Sequence, residues 1–321
     1  YDADGFTSIT GTSFSAPIVS GIVALMLEAN PGLGYRDVQQ ILASSASITS
    51  ADRNTWDYNG ATGWNGGGMH FDSQFHDLGF GLVDARAAVR LAESWTQPAA
   101  TSANDVQVSA RLAQPAAIPD GVSGLTQSVV INQPMEVERV EVTIDIDHPF
   151  LGDLGLLLTS PTGTDSWLLW RAGQSALSAY GSDQADINFT FDTVLSMGES
   201  SLGRWDLTVF DLEAGDAGTL RSWTLNLVGK PDSADDLYLY TDEFSESAAG
   251  AAARRTLTDT GGTDMLNAAA VSTRVLIDLN PGASSTIDGT TLKTSSSTVI
   301  ENAWGGDGAD TLTGNSANNR L

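Results

Sequence analysis

Gly11-Thr12-Ser13-Phe14-Ser15-Ala16-Pro17 leads directly into the strongly apolar stretch from Ile18 to Leu27. Ile18, Ile22, Leu25 and Ala29 fall at helical spacing, and Val19, Val23 and Met26 fill a second face. A helix that is apolar on two sides is expected to be buried. Asn30-Pro31-Gly32 ends it, because proline disfavours the α conformation in the residue before it. Ser13 then stands at the helix N-terminus, where unpaired backbone N–H groups can stabilise an oxyanion and small neighbours admit a substrate backbone. An ordinary helix cap uses the same residue types, so spacing alone leaves nucleophile and cap both open.

Working outward, Val38, Ile41 and Leu42 mark a shorter amphipathic helix. A third begins near Asp84, a good N-cap, and runs through Ala85, Ala88, Val89 and Ala92. After Pro98 the period changes to two. Val140, Val142, Ile144 and Ile146 alternate with Glu141, Thr143 and Asp145, and Trp205-Leu207-Val209 and Trp223-Leu225-Leu227 repeat the pattern. Short alternating runs broken by turns such as Ser160-Pro161-Thr162-Gly163 predict an antiparallel sandwich or barrel. From 231 to 301 the chain is small and polar with isolated apolar pulses such as Val275-Leu276-Ile277, which suits either a linker or short strands.

The chain has 321 residues, no cysteine, and 40 acidic against 15 basic residues, a formal net charge of −25. The length favours two or three domains, since one core rarely grows past ~250–300 residues. Disulfide staples and thiolate sites are excluded. The charge argues against nucleic acid as a partner, because phosphate contacts need clustered Lys and Arg. No uninterrupted apolar run approaches the ~18 residues of a membrane span. The chain opens at Tyr1 without a signal peptide's charged and apolar regions and closes at Leu321 within a repeat, so a longer polypeptide is expected.

That repeat is Gly305-Gly306-Asp307-Gly308-Ala309-Asp310-Thr311-Leu312-Thr313, which fits Gly-Gly-x-Gly-x-Asp-x-U-x at every defined position. Glycines allow tight turns whose carbonyls point at a cation, the aspartate adds charge, and the apolar residue fills the interior. Asp310 is the expected chief calcium ligand, Asp307 its assistant, and Leu312 the buried residue. A degenerate unit, Gly314 to Leu321, carries Asn319 at the aspartate position. Solenoids need about three repeats, so this tail alone should bind calcium weakly or not at all. Asp145, Asp147 and Asp153 crowd a bend and form a second candidate calcium set, with solvated turn carboxylates as the alternative. His70 and His76, with Asp72 and Asp77 nearby, match no zinc spacing and are not read as a zinc site.

The Gly11–Pro17 segment resembles the active-site serine segment of the subtilases, Gly-Thr-Ser-x-x-x-Pro before a long buried helix. The likeness continues through Asn30-Pro31, Asp37-Val38-Gln39-Gln40-Ile41-Leu42 and Gly79-Phe80-Gly81-Leu82-Val83-Asp84-Ala85, which is similar to the end of a kexin-type catalytic domain. The resemblance implies that Ser13 is the nucleophile of a serine endopeptidase. It also implies that the catalytic Asp and His and the oxyanion Asn precede Ser13, so this piece alone should have little or no activity. His148-Pro149-Phe150-Leu151-Gly152-Asp153-Leu154, Gly198-Glu199, Gly203-Arg204-Trp205-Asp206-Leu207 and Trp223-Thr224-Leu225 resemble the P domain of proprotein convertases, a jelly-roll sandwich that stabilises its catalytic domain. Val299-Ile300-Glu301-Asn302-Ala303 and the repeat resemble the C-terminal regions of serralysins and other RTX proteins.

The expected fold is therefore multidomain: the C-terminal part of an α/β subtilisin-like domain over 1–97, an all-β jelly-roll P domain over 98–230, a serralysin-like region or linker over 231–301, and the start of a parallel β-roll of RTX repeats over 302–321. By resemblance this is a piece of a secreted, bacterial, calcium-dependent endopeptidase acting on protein or peptide, completed by an upstream catalytic segment and exported by type I secretion machinery. The alternative is a secreted calcium-binding adhesion module with an inert subtilase remnant. An oxyester hydrolase is weaker, because the motif lacks the Gly-x-Ser-x-Gly elbow.

Overall fold

The computed structural model describes residues 11–49, 55–73, 78–175 and 178–321. The first module holds helices α1 (Thr12–Ala29) and α2 (Tyr35–Ser45), the antiparallel strands β1 (Trp56–Tyr58) and β2 (His70–Asp72), and helix α3 (Ala85–Ser94). Asp84 caps α3 as its position predicts, accepting a hydrogen bond from Ala87 N at 2.8 Å. Asn30 closes α1, and its side-chain amide donates to the Ala92 and Trp95 carbonyls at 3.0 Å, which satisfies carbonyls that the end of α3 leaves open. Met26, Ile41, Ala88, Leu91 and Ala92 form the fully buried centre, flanked by Trp64 and Trp95.

α1 corrects one expectation. Only Ile22 and Met26 of it are buried, while Phe14 (53%), Ile18 (63%), Leu25 (51%) and Leu27 are exposed. At 18 residues it is also long and apolar enough to cross a bilayer by length and composition, a property that counting uninterrupted apolar runs overlooks. The module covers one stripe of a helix whose sequence is apolar all round.

The sandwich follows the period-two pattern. Its strands are β3 (Val106–Leu112), β4 (Ala116–Ile118), β5 (Gly121–Ile131), β6 (Met135–Asp147), β7 (Leu154–Thr159), β8 (Asp165–Trp170), β9 (Ile187–Thr193), β10 (Gly203–Asp211) and β11 (Gly218–Pro231). They form a sheet β5-β10-β7-β8 and a sheet β3-β11-β6-β9, with β4 also on β11 and every pair antiparallel. Val140, Val142, Ile144 and Ile146 of β6 face inward, as do Trp205, Leu207 and Val209 of β10 and Trp223, Leu225 and Leu227 of β11. These alternating side chains make one continuous core between the sheets.

Residues after 231 build strands rather than a linker. β12 (Leu237–Thr241), helix α4 (Phe244–Gly250), β13 (Thr256–Leu257), β14 (Met265–Ala270), β15 (Leu276–Asp278), β16 (Ser284–Ile287), β17 (Thr290–Thr294), β18 (Asn302–Trp304) and β19 (Thr311–Thr313) make two sheets. One, β12-β14-β18, is parallel, and the other, β13-β17-β16-β15-β19, mixes parallel outer pairs with antiparallel inner ones. Tyr240, Phe244, Val275, Ile277, Ile287, Leu292 and Ile300 form their core, and the partly buried Leu312 packs on it.

A buried cation ties this region to the first module. Arg254 donates to the Trp64 and Asn65 carbonyls at 3.2 Å and to Gly68 O at 2.9 Å, and its guanidinium lies 4.2 Å from the Tyr58 ring centroid. Carbonyl dipoles and a ring face replace water around it, and burial depresses its pKa. Arg254→Met should strand three buried carbonyls and cost about 2–3 kcal/mol or more. Urea unfolding measures this as a lower midpoint, and an unchanged midpoint would show that this guanidinium does not hold the seam.

Candidate active site and acidic cluster

Ser13 sits in the first turn of α1 and is exposed. Phe14 N donates to Gly11 O at 3.0 Å, closing the entry to the helix. Pro17 lacks the N–H that would reach the Ser13 carbonyl four residues back, so the backbone around the serine keeps more free polar groups than an ordinary helix start. The hydroxyl carbon lies on an N-terminal turn whose N–H groups point outward, an arrangement suited to an oxyanion.

Neither described histidine serves it. His70 is buried, its Nε2 2.7 Å from Phe80 O and its Nδ1 3.1 Å from Glu243 Oε2. His148 is buried in the sandwich, its Nε2 3.2 Å from Asp211 Oδ2 and its Nδ1 2.8 Å from Phe150 O. His76 and Asp77 lie outside the described residues.

The bend carboxylates do not converge. Asp145 and Asp147 point outward from β6 and share Arg221, at 3.4 and 2.7 Å. The register shift between Leu220 and Ser222 falls at that arginine, which links both carboxylates across the strand pair. Asp153, the last residue of the short 3-10 turn Leu151–Asp153, turns inward instead and is buried. Burial raises its pKa, and the neighbouring Asp211 carboxylate raises it further.

The two repeat aspartates also go separate ways. Asp307 receives Arg86 at 3.0 Å and Arg90 at 2.7 Å from α3, while Arg86 also reaches Asp242 at 2.8 Å. Asp310 Oδ1 accepts from Val275 N at 2.9 Å, joining its turn to the neighbouring strand. The glycines on either side of Asp307 are required by close backbone contact: a Cβ on Gly306 would lie 2.3 Å from Val271 O, and one on Gly308 2.5 Å from Arg274 Cα.

A third acidic group was not singled out from the sequence. Asp236, Asp259 and Asp264 each offer a carboxylate oxygen, all within 4.8 Å of one another. Asp264 is fully buried; its Oδ1 accepts from Asp236 N at 2.8 Å, and its Oδ2 is buried without a hydrogen-bond partner. Tyr238 OH donates to Asp259 at 3.1 Å and to Asp236 at 3.3 Å, and Glu301 accepts from Asp264 N at 2.8 Å. Burial first, with Asp259 and Glu301 adding repulsion, pushes the Asp264 carboxyl up to about 7. Asp236 is raised for the same reasons, burial and then Asp259.

The donor set is all oxygen. Ligands on opposite sides of a calcium ion, each at ~2.4 Å, are separated by about the spread seen here, so these residues fit that cation. The signal in the sequence was Asp259-Thr260-Gly261-Gly262-Thr263-Asp264, two aspartates bracketing paired glycines. Gly262 has φ +138°, and a Cβ there would fall 1.8 Å from Ala234 O, so the turn tolerates only glycine.

The subtilase family matches residues 2–74, and the proprotein convertase P-domain matches residues 137–227. Human proprotein convertase subtilisin/kexin type 6 is 37% identical over 232 residues, covering 68% of this chain and 22% of that protein. Rat furin is 34% identical over 227 residues, covering 69% of this chain and 26% of furin. The chain thus spans about a quarter of these curated relatives. Among solved structures, the Aeromonas sobria serine protease in complex with its chaperone superimposes with TM-score 0.57 at 27% identity, over 71% of this chain and 45% of that one. The chain is thus similar to the subtilase family over residues 2–74 and to the proprotein convertase P-domain over residues 137–227, with kexin- and furin-like relatives.

Proposed function

We propose that this chain is part of a secreted, calcium-dependent serine endopeptidase that cleaves protein or peptide substrates. The observation that carries the reading is Ser13, exposed in the first turn of α1 within the stretch that matches the subtilases. Ser13 Oγ attacks the scissile carbonyl, and a histidine from an upstream segment takes its proton and later returns it to the leaving amine. An upstream aspartate orients that histidine. The Ser13 N–H and an upstream asparagine hold the oxyanion.

The exposed face of α1 supports an upstream partner. Phe14, Ile18 and Leu25, at helical spacing, leave one apolar side of the helix open, and packing of the upstream segment there would both bury it and deliver the base. The P domain adds rigidity at the seam and no catalytic group. Residues 302–321 are read as the start of a parallel β-roll of calcium repeats that continues downstream, with Asp310 and Asp307 in its first turn, and export through type I secretion machinery accompanies that reading.

A fluorophosphonate probe on the full-length protein should label the wild type and leave Ser13→Ala unlabelled. Labelling that persists in Ser13→Ala removes Ser13 from the role. No labelling of the wild type transfers the chain to the alternative of a calcium-binding adhesion module.

Asp236, Asp259 and the fully buried Asp264 would hold a calcium ion first, and the ion would supply the positive charge that lets the three carboxylates stay close. The folded-state pKa of Asp264 lies above the ordinary aspartate value near 3.9, so the folded chain holds this proton more tightly than the unfolded one. Its contribution without calcium is full below about pH 4 and is lost as pH rises through about 7. In chelator, thermal stability should therefore fall across that window. Calcium at about a hundred times its Kd should restore about 2.7 kcal/mol at neutral pH. Asp264→Asn should flatten the pH dependence and remove the calcium response. An unaltered calcium response in Asp264→Asn would falsify this placement of the ion.

A further inference from the structure

Residues 305–313 and 314–321 are successive turns of the glycine–aspartate repeat, with Asp310 and Asn319 at corresponding positions. The two side chains sit alike on the glycine that opens their turn. A Cβ on Gly305 would fall 2.6 Å from Asp310 Oδ2, and one on Gly314 2.3 Å from Asn319 Oδ1. Each turn also stacks on an earlier segment. β19 pairs in parallel with β15, and Ala303 N of β18 donates to Arg320 O at 3.0 Å.

In the first turn the carboxylate oxygens already have partners. Arg86 and Arg90 lie one helical turn apart on α3, so their guanidiniums leave the helix on the same side. Arg86 donates to Asp307 Oδ2 at 3.0 Å, and Arg90 Nε lies 2.7 Å from Asp307 Oδ1. Asp310 Oδ1 accepts from Val275 N at 2.9 Å, and Asp307 N donates to Val271 O at 3.1 Å. The turn thus has its counter-charge from the chain itself. A calcium ion on the same Asp307 oxygens, at ~2.4 Å, would stand beside two guanidiniums, so these residues do not fit the ion.

In the second turn an amide stands where the repeat has its aspartate. Asn319 Nδ2 donates to Glu301 O and to Asn315 Oδ1 at 2.9 Å, and Asn319 Oδ1 accepts from Asn315 N at 2.8 Å. Asn315 Nδ2 donates in turn to the Leu279 and Ile300 carbonyls at 2.9 Å. A carboxylate at position 319 could donate to neither acceptor of Asn319, whereas the amide satisfies both and carries no charge to be neutralised.

We propose that residues 302–321 form a calcium-independent cap, in which Arg86, Arg90 and the amides of Asn315 and Asn319 take the place of a metal ion, and which seats the following repeats on α3. Terminal units of repeat arrays are atypical because they must fold against something other than a neighbouring repeat. Here the first turn folds against α3 and the strand segments before it. The seating rests on the reading of 302–321 as the start of an array; the calcium independence rests on these contacts alone.

The test is hydrogen exchange, read by mass spectrometry, on the full-length protein carrying Asp264→Asn, so that an ion at the acidic group makes no contribution. The wild type is measured alongside and should show the same pattern over 302–321. Those peptides should be equally protected in chelator and in millimolar calcium, while segments after Leu321 gain protection only with calcium. Arg86→Gln with Arg90→Gln, at partly exposed positions, should speed exchange over 305–313 about fivefold and leave 314–321 unchanged. Asn319→Asp should make protection of 314–321 depend on calcium. Protection of 302–321 that appears only with calcium overturns the proposal. So does an arginine double variant, or an Asn319→Asp variant, that exchanges like its parent in chelator. If 302–321 are protected in chelator and nothing downstream responds to calcium, the array reading fails and the calcium independence of these turns stands.

Discussion

The polar backbone between β1 and β2 must be hydrogen-bonded, and the first module cannot do it alone. Asn59 donates its amide to the Leu195 and Met197 carbonyls of the sandwich at 2.8 and 2.9 Å. Gly60 donates to Glu199. On the other side Asn65 exchanges hydrogen bonds with Thr241 and Leu239, and Arg254 collects the Trp64, Asn65 and Gly68 carbonyls. One loop is thus satisfied by two neighbours at once. Its glycines are there because the backbones touch: a Cβ on Gly68 would lie 1.7 Å from Asn59 O, and one on Gly66 2.1 Å from Arg254 O.

The acidic balance takes on a spatial meaning through this seam. With 15 basic residues in the chain, several arginines act as ties between modules: Arg36 to Glu138, Arg86 and Arg90 to Asp307, and Arg254 to carbonyls. Among the described residues, Asp236, Asp259 and Asp264 lie within 4.8 Å of one another. Burial makes negative charge costly there, so the group favours a cation.

Much of the fold was legible because it rests on local period. The alternation of β6, β10 and β11 specifies which side chains enter the sandwich core, and the structure buries those same residues. Asp84 as the cap of α3 was equally readable. Apolar residues on two faces of α1 predict a buried helix, yet periodicity says nothing about whether a covering surface is present. For 231–301, short pulses left linker and strand both possible, and only pairing between β12, β14 and β18 decided it.

The candidate sites divide along the same line. By itself the sequence determined the Gly-Thr-Ser stretch before a long apolar helix, the order of modules and the glycine–aspartate repeat, since each is written in consecutive residues. Tertiary structure decided which carboxylates meet. Asp145, Asp147 and Asp153 are near neighbours in the chain, but strand alternation keeps Asp145 and Asp147 together on the outward face of β6 while the 3-10 turn carries Asp153 inward. Asp236 and Asp264 are far apart in sequence and are joined by parallel pairing of β12 with β14. Side-chain period fixes the face a residue occupies; only the packing of distant segments fixes what that face meets.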